Sequence, residues 1–261
     1  MKIGLALSGG GALGVAHIGV LEELEKTNVK IGCICGVSSG AIMGLAYSAG
    51  GLKSLRLFYE RIIASDFAKP EKFVLAGGPA AAFKFTAAVL NDIVGEKNLE
   101  DLETPFSCCA TNVATGEKEI LKTGPAVAAV MASSAYPAVF DQREFGGNWY
   151  IDGGVTRNLP AEETRTMGAE FVIGSSIYGV DQISGAKAAH MNKIELVFRT
   201  LSIFEKELSR FEEKQCDFCF KAGVEHLSWF DFFKMEEILE LGRVNAAKQM
   251  PELLEIINKR N

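Results

Sequence analysis

Two short apolar runs near the start of the chain each dissolve into a glycine-rich turn and then into a helical pattern, and this constrains the fold more than any other feature. Residues 3–7 read as a strand, Ser8-Gly9-Gly10-Gly11-Ala12-Leu13-Gly14 as a loop, and residues 15–26 as a helix with Ile18, Leu21 and Leu24 or Val20 on one face. A second strand is predicted over residues 29–35. It opens onto Gly36-Val37-Ser38-Ser39-Gly40 and a small-residue helix over residues 41–49 that stops at Gly50-Gly51. Two apolar strands joined through a helix are parallel neighbours in a sheet buried on both faces. The expected fold class is therefore α/β, a three-layer α/β/α arrangement around a mostly parallel central sheet.

With 261 residues, 48% of them hydrophobic and 23% charged, the chain can bury a large core as one domain over residues 1–261. The motif-bearing part is expected to span about residues 3–180, with a mostly helical C-terminal part over 188–261 packing on it. A net charge of −6 argues against nucleic acid as the partner, because a phosphate-binding surface shows as a basic excess. It leaves room for transient contact with a membrane surface. Six cysteines sit within or beside apolar runs, as reduced thiols do, and suggest a reducing compartment. Cys216-Asp217-Phe218-Cys219 is a lone CxxC in an alternating run, read as strand in preference to a zinc or redox site. The N-terminal apolar run is too short for a signal sequence, and no unbroken run of about 20 apolar residues is visible, so a cytoplasmic protein is expected.

Farther along, a helix is predicted over residues 52–64. An Ala/Phe-rich segment around residues 77–94 reads as either a mobile flap or a buried helix. Two strands over 105–113 and 117–121 join through Ala114-Thr115-Gly116. A helix over 126–133, a strand over 148–152 running into Gly153-Gly154, and a strand over 171–176 follow. Residues 188–215 carry Ile194, Val197, Phe198, Leu201, Phe204, Leu208 and Phe211 at helical spacing, which predicts a stripe facing the core. Two last helices, over 230–241 and 244–257, are expected to break at Gly242. The run Trp229-Phe230-Asp231-Phe232-Phe233 favours packing over lipid contact.

GxSxG at Gly36–Gly40 can present a serine oxygen on a sharp strand-to-helix turn, although the pattern alone is usually an ordinary turn. A serine hydroxyl needs a base to take its proton as it attacks. The three histidines, His17, His190 and His226, do not sit where a triad histidine normally follows its acid; His226 is the least implausible. Asp152, at a strand end before Gly153 and Gly154, is the alternative base.

The glycine loop, GVSSG at 36–40 and DGG at 152–154, in that order and spacing, resemble the patatin-like phospholipase family in its compact bacterial single-domain form. Gly14-Val15-Ala16-His17-Ile18-Gly19-Val20-Leu21, Ala132-Ser133-Ser134-Ala135-Tyr136-Pro137 and the stretch from Asp152 through Asn158-Leu159-Pro160 look like family sequence too. The resemblance implies a lipid acyl hydrolase with a Ser38–Asp152 dyad. In it Ser38 is the nucleophile, Asp152 the general base, and the N–H groups of Gly9, Gly10 and Gly11 form the oxyanion hole within the Gly9–Gly14 motif. It implies no metal and no cofactor, with a lipid or small acyl ester as partner. Many members carry Arg or Lys where this chain has Leu13, which puts a cationic contact with a phosphate headgroup in doubt.

Three rivals remain. Gly9-x-Gly11-x-x-Gly14 also fits a dinucleotide fingerprint, but the second strand ends in Ile34-Cys35-Gly36 without the acid that a ribose needs. An α/β-hydrolase triad of Ser38, Asp152 and His226 has the right chain order but too few strands before the serine. A non-catalytic regulatory member of the fold is the third.

Overall fold

The computed structural model describes residues 1–177 and 183–260. Strand β1 (Ile3–Leu7) leads through a 3-10 turn (Gly11–Val15) to α1 (Ala16–Glu25), β2 (Ile31–Val37), α2 (Ser39–Ser48) and α3 (Gly51–Ala64). Next come α4 (Pro70–Phe73), α5 (Gly78–Val94), β3 (Phe106–Asn112), β4 (Lys118–Leu121), α6 (Ala126–Ser133), β5 (Arg143–Phe145) and β6 (Asn148–Asp152). The chain continues with α7 (Ala161–Thr166), β7 (Phe171–Ser176), α8 (Gly185–Ala189), α9 (Lys193–Glu213), β8 (Phe218–Lys221) and α10 (Met235–Arg260). The 180 boundary expected for the motif-bearing part lies outside the described residues.

The strands form one mixed sheet in the order β5-β6-β3-β2-β1-β7-β8, with β4 also paired to β3. The run β3-β2-β1-β7-β8 is parallel throughout, while β4, β5 and β6 join antiparallel at one side. From β1 the chain goes outward to β2 on one side and later returns to β7 on the other. The crevice at the carboxyl ends of β1 and β2 is thus a topological switch point, where open α/β sheets place their ligands.

The two faces of the sheet are unequal. Leu5, Leu7, Ile34, Phe171 and Ile173 point into the large core shared with α1, α2 and α10. Their alternate neighbours Ala6, Cys33, Cys35, Val37 and Val172 point the other way, where α7 approaches closely. Gly4 completes that thin layer: a Cβ there would lie 2.5 Å from the Thr164 side chain. All six cysteines are free thiols, and the 216–221 run forms β8 from Phe218 onward.

The last two helices expected from the sequence are one, α10, unbroken through Gly242. Gly242 is there for a close helix crossing: a Cβ on it would sit 2.3 Å from the Ala16 carbonyl oxygen, and one on Gly19 2.3 Å from the Arg243 nitrogen. The 188–215 pattern divides into α8 and α9, and the stripe expected to face the core does not. Val197, Phe204 and Phe211 are exposed, whereas Ser202, Glu205, Ser209 and Glu212 are buried.

Candidate active site

Ser38 follows the last residue of β2 and precedes α2 at φ 52°, ψ −124°, a left-handed conformation that a non-glycine residue keeps only when its surroundings enforce it. The glycines of the motif supply that enforcement by allowing backbone to touch backbone. A Cβ on Gly36 would lie 2.6 Å from the Gly40 oxygen, and one on Gly40 2.4 Å from the Leu7 oxygen. The Ser38 N–H donates to Ser133 Oγ at 3.1 Å, and that hydroxyl donates to the Cys109 carbonyl at 2.6 Å, pinning the turn to β3. Within the motif Ser38 is the residue left half-exposed.

Sheet register carries Asp152 to the same level. Val37 pairs with Cys109, so Ser38 stands opposite Ala110, and Ala110 pairs with Asp152 on β6. Serine and aspartate are thus about two strand spacings apart, roughly 10 Å along the backbone, a gap that their side chains close from both ends. The glycine after the aspartate makes this approach possible: a Cβ on Gly153 would be 2.2 Å from the Cys109 oxygen. Asp152 Oδ1 accepts the Gly154 N–H at 2.8 Å, while Oδ2 is buried and makes no well-formed hydrogen bond. Burial pushes the carboxyl up to about 6, opposed by the Ser38 side chain and the Gly154 N–H. A carboxylate with a free lone pair and a pKa near neutrality is suited to accept a proton from an alcohol.

The glycine loop closes over the same point. Gly9, expected among the oxyanion donors, has its N–H committed to the Asn158 carbonyl at 3.1 Å, because the chain after the DGG turn runs back under the loop. The N–H groups of Gly10 and Gly11 have no acceptor among the described residues. Gly11 adopts φ 59° beneath Trp229, whose carbonyl accepts the Ala12 N–H at 2.9 Å and would lie 2.6 Å from a Cβ on Gly11. His17 supports the loop from below, with Nε2 2.9 Å from the Ser8 carbonyl and Nδ1 2.8 Å from Ser175 Oγ. A carbonyl only accepts, so Nε2 carries the proton and Ser175 donates to Nδ1. Burial pulls this imidazole down to about 4, so it stays neutral. Leu13, at the position of the frequent family cation, is buried in the core.

Ser38, Asp152, Gly10 and Gly11 all line one cavity of about 430 Å³. Its walls are apolar and include Phe58, Phe83, Phe140 and Trp229, together with Phe230 and Phe233 from the aromatic run. That run is therefore neither plain core nor free surface, since Phe230 and Phe233 line the cavity while remaining 43% and 44% exposed. Helix α5, expected as flap or buried helix, is a cavity wall through Phe83 and Phe85. Three site residues lacked a role at the sequence level: Asn158, Tyr136 and Glu205. Asn158 lies in the quoted stretch after DGG and Tyr136 in the quoted stretch before Pro137. The only trace of Glu205 was a charge interrupting an apolar stripe. The Tyr136 hydroxyl donates to Glu205 at 3.4 Å, and burial beside Glu205 and Asp152 raises its pKa and keeps it neutral. His226 is not brought to this site: it is exposed, with Nε2 4.0 Å from Glu237, and lies outside the cavity lining. His190, the residue after α8, is exposed, with Nδ1 2.8 Å from the Ala186 carbonyl, and lies outside the cavity lining. Among the described residues no His, Cys, Asp and Glu side chains cluster as a metal site.

The patatin-like phospholipase family model matches residues 5–165 of the sequence, well over half of the chain. The chain belongs to the patatin-like phospholipase family. Among curated proteins, an uncharacterized NTE family protein of Mycobacterium tuberculosis is 33% identical over 68% of this patatin-like chain and 49% of its own length. A patatin-like phospholipase domain-containing protein of Caenorhabditis elegans is 27% identical over 97% of the chain and 21% of its own length. The lysophospholipase NTE1 of Mycosarcoma maydis is 28% identical over 70% and 10% respectively. The chain thus spans half or less of the length of these relatives. Among solved structures, VipD from Legionella pneumophila superposes with a TM-score of 0.56 at 13% identity, covering 96% of this chain and 67% of that one. Human GIVD cytosolic phospholipase A2 superposes with a TM-score of 0.51 at 11% identity, covering 98% and 60%. At these identities the likeness is one of fold, a helix-flanked, mostly parallel sheet.

Proposed function

We propose that this patatin-like chain is a serine acyl-ester hydrolase that works through a Ser38–Asp152 dyad. The observation that carries the reading is the unfilled Oδ2 of a buried Asp152 beside a serine held at a strained elbow. In the reaction, Oδ2 takes the Ser38 proton as Oγ attacks the acyl carbonyl, and the Gly10 and Gly11 N–H groups receive the oxyanion. Collapse of the tetrahedral species breaks the ester bond, and Asp152 passes its proton to the leaving alcohol. Water then gives a proton to Asp152 and attacks the acyl-Ser38 ester. The second collapse releases a carboxylic acid, and the proton returns to Ser38 Oγ. Each donor aimed at the oxyanion is worth about 2.7–4 kcal/mol in enzymes of this kind.

The apolar cavity fits the acyl portion of the substrate, and among the described residues no lysine or arginine lines it. A fatty acyl ester is therefore selected by its chain, with a polar headgroup remaining toward solvent; the phospholipase and lysophospholipase names among the relatives agree with a lipid ester. The test is the pH dependence of kcat/KM on a short p-nitrophenyl ester. Because the base must be ionised in the free enzyme, activity is expected to fall about tenfold per pH unit below about 6, where burial holds the Asp152 pKa. Wild-type activity that stays flat down to pH 4.5, or that survives Asp152→Asn and disappears in His226→Gln, would rule out the dyad.

A further inference from the structure

Helix α9 is amphipathic with its polar side turned inward. Ser202, Glu205, Ser209 and Glu212 are buried, and their bonds fix that orientation. Ser209 Oγ accepts from Asn158 Nδ2 at 2.8 Å, and Glu212 accepts the Asn158 N–H at 3.1 Å and the Leu159 N–H at 2.6 Å. Turning the helix to hide its apolar side would bury these partners unpaired, which costs more than the exposure it would relieve. The outward side instead presents Val197, Phe204 and Phe211, spaced by seven residues along about 20 Å of helix, with Leu196 and Ile203 in the adjoining row. Their exposures run from 46% to 67%.

This face is continuous with the mouth of the cavity. Phe198, at its edge, lies 5.8 Å from the Trp229 ring and 6.1 Å from the Phe230 ring, and both of those residues line the cavity. Phe73, also in the cavity lining, meets Phe233 edge to face at 5.7 Å. The two residues after Phe73, Val74 and Leu75, are 80% and 87% exposed. Apolar protrusions thus flank the opening on two separate elements. Scattered exposed apolar residues need no explanation, whereas a patch continuous with a binding cavity does. A protein partner seated across it would close the opening, while a lipid layer would feed it. Resting on the proposed hydrolase reading, we infer that the outer face of α9 and the Val74–Leu75 turn insert into the acyl region of a lipid surface and hold the cavity mouth against it. With a net charge of −6, the contact is made by apolar insertion and needs no anionic lipid.

The experiment uses the full chain. In a Ser38→Ala, Trp149→Phe background Trp229 is the sole tryptophan, and its emission is followed on titration with phosphatidylcholine vesicles carrying acyl-chain-brominated lipid. Quenching is expected, with little change on adding salt, and at least tenfold weaker partitioning for Phe204→Ser/Phe211→Ser and, independently, for Val74→Ser/Leu75→Ser. With Ser38 intact, both double variants should hydrolyse a soluble short-chain ester within about twofold of wild type, which shows that they fold. Variants that partition like the parent, binding only to anionic vesicles, or no vesicle binding by a protein active on the soluble ester would each overturn the inference. A wild-type dimer that Phe204→Ser/Phe211→Ser converts to monomer in sedimentation equilibrium would assign the face to a second copy and also overturn it. Vesicle binding with the predicted variant pattern but no esterase activity would uphold the surface and overturn the hydrolase reading.

Discussion

Asp152 keeps a carboxyl almost wholly withdrawn from bulk solvent, at the wall of the cavity, and folding bears the cost. Its pKa in the folded chain is about 6 against an ordinary 3.8, so the folded state holds the proton more tightly than the unfolded one. Stability from this group is accordingly greatest below pH 3.8, declines as pH rises through about 6, and is lowest above that. The shift of about two units corresponds to about 3 kcal/mol. Asp152→Asn is isosteric and uncharged, and is expected to raise the urea midpoint at pH 8 by an amount worth about 1–3 kcal/mol while abolishing turnover. The gain should vanish near pH 4; a variant less stable than wild type at pH 8 would contradict the account. At this scale the local backbone geometry was readable: a serine between glycines and an aspartate before glycines mark places where the backbone must turn or touch. The spending of the Gly9 N–H was not readable, because its acceptor is the carbonyl of Asn158, far away in sequence and bearing no side-chain signature.

At the scale of elements, periodicity placed most helices and strands but misjudged which way one helix faces. An amphipathic pattern states that a helix has two sides; it does not state which side meets the protein. In α9 the polar side is bonded to the Asn158–Leu159 backbone, and that depends on Glu212 finding buried N–H donors that only the folded chain supplies. Gly242 misled for a related reason, since a glycine that breaks an isolated helix is also the residue that lets two helices cross at backbone contact. Gly242→Ala tests that contact. Alanine gains about 1 kcal/mol of helix propensity over glycine. Here its Cβ would start 2.3 Å from the Ala16 carbonyl, so a net loss of about 1–3 kcal/mol in unfolding free energy is expected. A neutral or stabilising result, measured by urea unfolding, would mean that α1 and α10 do not cross as described. Strand β5, three residues long and placed by pairing with β6, offered the sequence too little pattern to be seen.

At the scale of the molecule, two alternating α/β units and their hydrophobic strands were enough to announce a parallel sheet. Of the antiparallel side strands, β4 and β6 stood in the sequence at 117–121 and 148–152, the first marked by a tight turn at Gly116, and β5 was missed. What the whole fold adds is a support running from the sheet to the loop: β7 carries Ser175, α1 carries His17, and together they hold the Ser8 carbonyl where the glycine loop begins. The folded pKa of His17, about 4, lies below its ordinary 6.5, so its contribution is full above pH 6.5 and is lost as pH falls through about 4. His17→Gln is therefore expected to destabilise the protein at pH 7 by about 1–3 kcal/mol. That penalty should shrink toward pH 4, where wild type must itself charge a buried imidazole; a penalty independent of pH, read from urea midpoints, would contradict this role.

If Ser38 is a nucleophile activated by Asp152, a fluorophosphonate probe reacts with it covalently, and intact mass with peptide mapping reads the outcome. One adduct per chain on Ser38 is expected, none on Ser38→Ala, and at least about a hundredfold slower labelling of Asp152→Asn, since a base assisting proton transfer contributes about 10²–10⁴ in rate. Folded wild-type protein that takes no label, or that labels at another residue at an undiminished rate in Ser38→Ala, would contradict it.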